Sequence, residues 1–201
     1  MINFLKKKIH SFLKNYFDDI KIQIANGHFN LIRPQYPNYR EIKQIFYKVF
    51  SQNGEDGILD YLIEMLNLKN LNFIEIGVGD YTECNTRLLY SLRHCKGLVI
   101  DSNKELTFNL QKYESFYKGS LKVINKKINL ADFKKIIIEN INTDIFSIDI
   151  DGIDYWLLNE LPYQYSKIVV AEYNPIFGSK LELSVPYDED FDRINYHYSN
   201  L

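Results

Sequence analysis

Asn72-Phe-Ile-Glu-Ile-Gly-Val-Gly-Asp80 is the stretch that decides the fold of this chain. Residues 72–78 are a short apolar run that leads into two glycines, Gly77 and Gly79, with one residue between them. Such a run reads as a strand buried on both faces of a parallel sheet, followed by a turn tight enough to need glycine. Working outward, helical and strand patterns alternate. Upstream, residues 55–68 (EDGILDYLIEMLNL) predict a helix. Downstream come a helix over Asn85–Leu92, a strand over 97–101 (GLVID) and a helix over Glu105–Tyr117. A strand over Leu121–Asn125, a helix over Ala131–Asn140 and a strand over 144–150 (DIFSIDI) follow. A short helix over Tyr155–Glu160 precedes Pro162, and residues 167–172 (KIVVAE) make a fifth strand. Strands alternating with helices at this spacing predict an α/β fold, an open, doubly wound, mostly parallel sheet with helices on both faces.

The 201 residues suit one domain with a small N-terminal extension. A chain of this length buries roughly 70% of its unfolded surface and needs no disulfide or metal to fold. At 46% hydrophobic residues it is not a disordered chain. No run approaches the ~18 apolar residues of a membrane span. A formal net charge of −2 gives no positive field to collect phosphates, which argues against a nucleic-acid binder. Cys84 and Cys95 form no disulfide framework, and no Cys/His spacing reads as a zinc site. The first residues, MINFLKKKIHSFLKNYF, lack the apolar core and cleavage site of a secretory signal, so a reducing cytoplasm is the expected compartment.

Ile2, Leu5, Ile9, Phe12, Leu13, Tyr16, Phe17 and Ile20 recur at helical spacing, with Lys6, Lys7, Lys8 and Lys14 on the polar face. This amphipathic helix has two uses: to lie on an anionic membrane surface, or to pack on the fold or a second subunit as a homodimer contact. Packing is the commoner use. Arg33–Tyr39 (RPQYPNY) reads as a linker, so the main domain is expected from residue 40 to 201. Pro186–Leu201 is acidic and tyrosine-rich with no clear period.

In a doubly wound sheet ligands sit beyond the carboxyl ends of the strands, so the polar residues there are the candidates. The first strand ends Glu75-Ile-Gly77-Val-Gly79-Asp80, and the second ends at Asp101, 22 residues beyond Gly79. Two such glycines let backbone approach a ligand, and an acid at that offset is placed for ribose hydroxyls. A dinucleotide fingerprint wants a third glycine where this chain has Thr82. The fourth and fifth strands carry pairs two residues apart, Asp149 with Asp151 and Glu172 with Asn174. Carboxylate and amide oxygens are hard ligands suited to Mg²⁺ or another divalent cation such as Ca²⁺, which would lower the pKa of a bound hydroxyl. The bland alternative is that only Asp149 faces the site while the others cap turns. Tyr155, Trp156, Tyr173, Phe177 and Tyr187 suit either a sugar-stacking wall or, more commonly, core.

Glu75-x-Gly77-x-Gly79 followed by Asp101 resembles the cofactor signature of the class I S-adenosylmethionine-dependent methyltransferases, enzymes with a Rossmann-like sheet. Ser51-Gln-Asn-Gly-Glu-Asp-Gly57, Glu83-Cys-Asn-Thr-Arg87, Ser147-Ile-Asp-Ile-Asp-Gly152 and Glu172-Tyr-Asn-Pro-Ile-Phe-Gly178 narrow the resemblance to a bacterial group of the FkbM type. That group is associated with capsule and other surface-polysaccharide biosynthesis. The resemblance covers about residues 45–200. It implies that Gly77 and Gly79 line the methionine moiety of S-adenosylmethionine with Glu75 beneath, and that Asp101 holds the ribose. Ser102 or Asn103 would flank the adenine, and Gln52 and Glu55 would close over the amino-acid end. Arg87 would bind an anionic group or make a structural ion pair. Catechol-type methyltransferases place metal ligands at the ends of the same two strands as Asp149, Asp151, Glu172 and Asn174.

The implied reaction is O-methylation, less often N-methylation, of a surface-glycan precursor or a nucleotide-linked glycan. Asp149 is the first candidate base and His197 the second. Family members continue into a helix and an antiparallel strand hairpin, which this sequence does not show, so either a C-terminal segment lies outside it or the sheet is a shortened one with that hairpin missing. Three rivals stand beside this reading: a cofactor-binding but inactive paralogue or subunit, a nicotinamide-dependent oxidoreductase, and a membrane-docking scaffold using the first helix.

Overall fold

The structure, a computed structural model, describes residues 2–93, 95–106, 110, 120–173, 178 and 183–191, with 2–12 and 120 as backbone. Among the described residues, five strands form one all-parallel sheet: β1 (Asn72–Ile76), β2 (Lys96–Asp101), β3 (Ser120–Asn125), β4 (Ile145–Ile148) and β5 (Ile168–Ala171), in the spatial order β3-β2-β1-β4-β5. The expected α/β, Rossmann-like sheet is therefore present. The order reverses at β1, so the crevice of the switch point opens between β1 and β4.

Strand pleating sorts the apolar residues into two layers. Phe73, Val99, Leu121, Ile145 and Ile168 face α2 (Glu55–Met65) and α3 (Arg87–Arg93). Ile74, Ile76, Leu98, Ile100, Phe146 and Ile148 face α4 (Leu130–Glu139) and α5 (Asp154–Asn159), whose Phe133, Ile137 and Leu157 complete that layer. Neighbouring residues thus serve opposite faces, as a strand period of two requires. Gly97 is flat for a reason: an added Cβ would stand 2.1 Å from the ring of Phe73. α2 starts with Glu55 and Asp56, acids that suit a helix N-terminus. α4 is capped by the Asn129 side chain, which accepts from the Asp132 N–H at 2.9 Å.

The first helix, α1, runs Ile2–Ile32, twelve residues past the last periodic residue of the sequence reading. Its packing face is also different. Ala25 and Phe29, with Ile22 and Ile32, cover Phe50 and Leu88, whereas Leu13, Tyr16 and Phe17 are exposed. The stretch expected as a linker is a 3₁₀ helix, Arg33–Asn38, with Tyr36 buried. Pro34 lies in its first turn, where a missing N–H costs nothing, so one of the two prolines that suggested a loop starts a helix and Pro37 lies inside it. Arg33 and Tyr36 both donate to Asp60 on α2, at 2.7 and 2.8 Å, and Arg93 of α3 donates to the same carboxylate at 2.6 Å. Of the helix expected over Glu105–Tyr117, only 105, 106 and 110 lie within the described residues. Among the described residues, no helix is long and apolar enough to cross a membrane.

Candidate functional site

A cleft of about 970 Å³ lies over the carboxyl edge of the sheet. Its floor is the end of β1. Gly77 has φ +90°, and an added Cβ would fall 1.6 Å from the Asp149 carbonyl oxygen, so β1 and β4 approach this closely only with glycine there. Gly79, at φ +57°, has nothing within 4 Å of a built Cβ and lines the cleft. The Gly79 N–H donates to Asp101 Oδ2 at 2.7 Å, and the Asn103 N–H donates to Asp101 Oδ1 at 2.7 Å. Asp101 thus grips the glycine loop and its own turn while staying half-exposed in the cleft. Ser102 lines the cleft beside it. Asn103 does not, because its side chain accepts from the Glu105 N–H at 2.9 Å.

Glu75 is buried under the loop. Its carboxylate accepts from the N–H groups of Asn85 and Thr86, at 2.8 and 2.9 Å, and so occupies the amides leading into α3. Burial pushes the Glu75 carboxyl above its ordinary range, against the pull of those hydrogen bonds and of the Thr86 hydroxyl. Position 82 needs no glycine here: Thr82 donates its N–H to Asp80 Oδ1 at 2.9 Å, and Tyr81 takes φ +63°.

The motif of residues 51–57 divides cleanly by role. Asp56 accepts from the N–H groups of Val49, Phe50 and Ser51 at 2.8–2.9 Å and from the Ser51 hydroxyl. Gly54 takes φ +101°, and Gly57 lies where a Cβ would come within 2.0 Å of the Ile45 carbonyl. These residues shape the loop, which leaves Gln52 and Glu55 lining the cleft.

Across the cleft, carboxylate oxygens of Asp149, Asp151 and Glu172 lie within 4.8 Å of one another. Burial first, then Glu172 and Asp151, push the Asp149 carboxyl up to about 6. Asp154 shapes the turn below by accepting from the N–H groups of Ile150 and Gly152 at 2.7 and 2.9 Å. Asn174, Phe177 and His197 lie outside the described residues. The expected aromatic wall separates. Tyr173 lines the cleft, while Tyr155, Trp156 and Tyr187 pack edge-to-face on one another away from it. Arg87 takes the structural of its two expected roles, paired with Asp18 at 2.6 Å.

No model of a known protein family matches the chain, and no curated protein matches it. Its chemistry must be read from the cleft. The sequence reading passed over Cys84, Asn85, Lys126, Lys127, Asp188, Glu189 and Phe191, all of which line it. Lys126 and Lys127 follow β3 directly, so inspecting that strand's carboxyl end would have found them. Burial raises the Cys84 thiol well above its ordinary range, so it is a lining group and not a reactive one. Residues 183–191 form a strap whose anchor is the Trp156 indole N–H, donating to the Val185 carbonyl at 2.8 Å. Phe191 covers Gly152, and the strap carries Asp188 and Glu189 to the cleft.

Proposed function

We propose that this chain is an S-adenosylmethionine-dependent methyltransferase. The observation that carries the reading is what fills the amides ahead of α3. A dinucleotide-binding sheet offers the helix N-terminus after β1 to a pyrophosphate. Here the chain's own Glu75 carboxylate takes the Asn85 and Thr86 N–H groups. The remaining cleft is lined by Glu55, Asp101, Asp149, Asp151 and Glu172, which outnumber its lysines, Lys126 and Lys127, so its net negative charge disfavours phosphate and suits a cationic, phosphate-free cofactor. This favours a sulfonium cofactor over a nicotinamide dinucleotide.

S-adenosylmethionine, when bound, supplies a methyl group already activated on sulfur, so the protein's task is chiefly alignment. Gly77 and Gly79 let backbone lie against the methionine moiety, and Glu75 holds their loop from beneath. Asp101 has lone pairs left for ribose hydroxyls, Ser102 flanks the adenine, and Gln52 and Glu55 close the amino-acid end. Asp149 accepts the proton of an acceptor hydroxyl. Asp149, Asp151 and Glu172 offer the hard oxygens that would hold Mg²⁺ or another divalent cation, which would acidify that hydroxyl. The acceptor itself, an oxygen of a capsular or other surface-glycan precursor in the cytoplasm, rests on the FkbM-type resemblance. In that setting the outward side of α1 is open to a second subunit or to the inner membrane face.

Calorimetric titration with S-adenosylhomocysteine tests the cofactor. Micromolar binding that is lost in Asp101→Ala supports it, and no binding at millimolar ligand sinks it. Binding of NADH in its place would bring back the oxidoreductase. Binding without turnover on any nucleotide-linked sugar or capsule fragment would mark an inactive paralogue.

A further inference from the structure

Asp18 lies on α1, which does not line the cleft, yet the residue is only 6% exposed. Its Oδ2 accepts from Arg87 Nη2 at 2.6 Å, and Arg87 is itself 4% exposed. The other arm of that guanidinium, Nη1, donates to the Thr82 carbonyl at 2.8 Å. Its central carbon stands 3.8 Å from the centroid of the Phe50 ring. Thr82 follows the glycine loop, and Phe50 precedes Gln52 on the loop shaped by Asp56. A third tie, the Cys84 N–H donating to the Phe50 carbonyl at 3.1 Å, joins the same two loops. One guanidinium therefore sits between the two loops that flank the cofactor half of the cleft, and Asp18 supplies the charge that keeps it there.

An apolar pair would fill this space at lower desolvation cost, since a buried ion pair adds little net stability. What an apolar pair cannot do is hold a carbonyl and an aromatic face in fixed directions at once, which a planar, forked guanidinium does. Without Asp18 the buried guanidinium would lose the carboxylate it pairs with at 2.6 Å, and Arg87 would have to move or draw in water. Either movement releases Thr82 and Phe50.

We propose that Asp18 is a positioning residue for the cofactor cleft, acting through Arg87 to set the spacing between the glycine loop and the loop that carries Gln52 and Glu55. The proposal rests on the reading of the cleft as an S-adenosylmethionine site. It makes α1 a working part of that site.

The test compares the full chain with Asp18→Asn, which keeps the shape and removes the charge, and with Asp60→Asn, which weakens the other ion-pair cluster beside α1. Two quantities are read: the S-adenosylhomocysteine dissociation constant, and amide hydrogen exchange over residues 49–56 and 77–86. Asp18→Asn is expected to weaken binding at least tenfold and to speed exchange in both loops while leaving the strands protected. Asp60→Asn is expected to cost global stability and leave the dissociation constant within twofold. Binding within twofold in Asp18→Asn, or exchange that rises evenly over the whole chain, overturns the proposal. If Asp18→Asn does not fold, Arg87→Lys keeps the charge pair but loses the second arm, and it must weaken binding and loosen the same loops or the proposal fails. If the unmutated chain binds no S-adenosylhomocysteine, the cofactor reading falls, and the exchange data alone decide whether Asp18 orders the loops.

Discussion

Adding one methyl group has opposite consequences at the two glycines of the first turn. At Gly77 it meets the Asp149 carbonyl at 1.6 Å on a backbone already at φ +90°. Gly77→Ala is expected to cost about 2–4 kcal/mol from strain and overpacking together, measured by urea unfolding. At Gly79 the methyl group meets nothing within 4 Å, so Gly79→Ala should cost only about 1 kcal/mol, the αL penalty. It nevertheless puts a methyl group into the cleft, so S-adenosylhomocysteine binding should fall steeply, which calorimetry reads. Asp149 gives a pH-dependent case. Its carboxyl is pushed up to about 6 from 3.8, so the folded state holds a proton that the unfolded chain has lost between those values. Stability therefore falls as pH rises through that window. In chelator-containing buffer, Asp149→Asn should be more stable than the unmutated chain above pH 6, and the difference should vanish below pH 3.8. Thermal melts across that range are the check, and a variant less stable at neutral pH would contradict it. The acids and glycines of this site were legible in the sequence because they end apolar runs. Glu75 was legible as a site residue but not as the group that fills the amides ahead of α3, because its partners are backbone atoms ten and eleven residues away.

Elements were read well where one physical rule governs them and poorly where a distant partner does. The sheet is parallel and its central strands β2, β1 and β4 are buried, so each shows as an apolar run bounded by polar or glycine residues, while the edge strands β3 and β5 are partly exposed and show more weakly. The 3₁₀ helix Arg33–Asn38 exists because Asp60, far along the chain, takes up Arg33 and Tyr36, and two prolines hid that from any local pattern. The strap at 183–191 has no period at all, since it is held by single hydrogen bonds and by Tyr187 against Trp156. The Asp60 cluster carries its own prediction. Burial alone would raise the Asp60 carboxyl, but hydrogen bonds from Arg33 and Arg93 outweigh it and hold the carboxyl below its ordinary range. The stabilisation is present at neutral pH and is lost as pH falls through the carboxylate range. Asp60→Ala should cost about 2–4 kcal/mol at pH 7, less than a fully buried pair because both arginines keep some water. Denaturant melts should show that loss shrinking towards pH 3.

Across the whole molecule, α1 is fastened at two places, by Asp18 to Arg87 and by the 3₁₀ helix that continues it to Asp60. Between them Ala25 and Phe29 roof a separate small core over Phe50 and Leu88. Removing residues 1–32 would strip that roof and leave Arg87 buried without Asp18. The truncated chain is expected to lose more than about 3 kcal/mol and to unfold over a broader range, seen by circular dichroism. A sharp transition at the original midpoint would mean that α1 is an appendage after all. The strap has a consequence of another kind. Trp156 is the chain's single tryptophan, and its indole N–H is tied to the Val185 carbonyl while Tyr187 lies against its ring. All indole fluorescence from this protein therefore originates where the strap is anchored. Emission colour and quenching by iodide become a direct gauge of whether residues 183–191 are seated, readable in a cuvette without any label, as ligands enter the cleft that the strap borders.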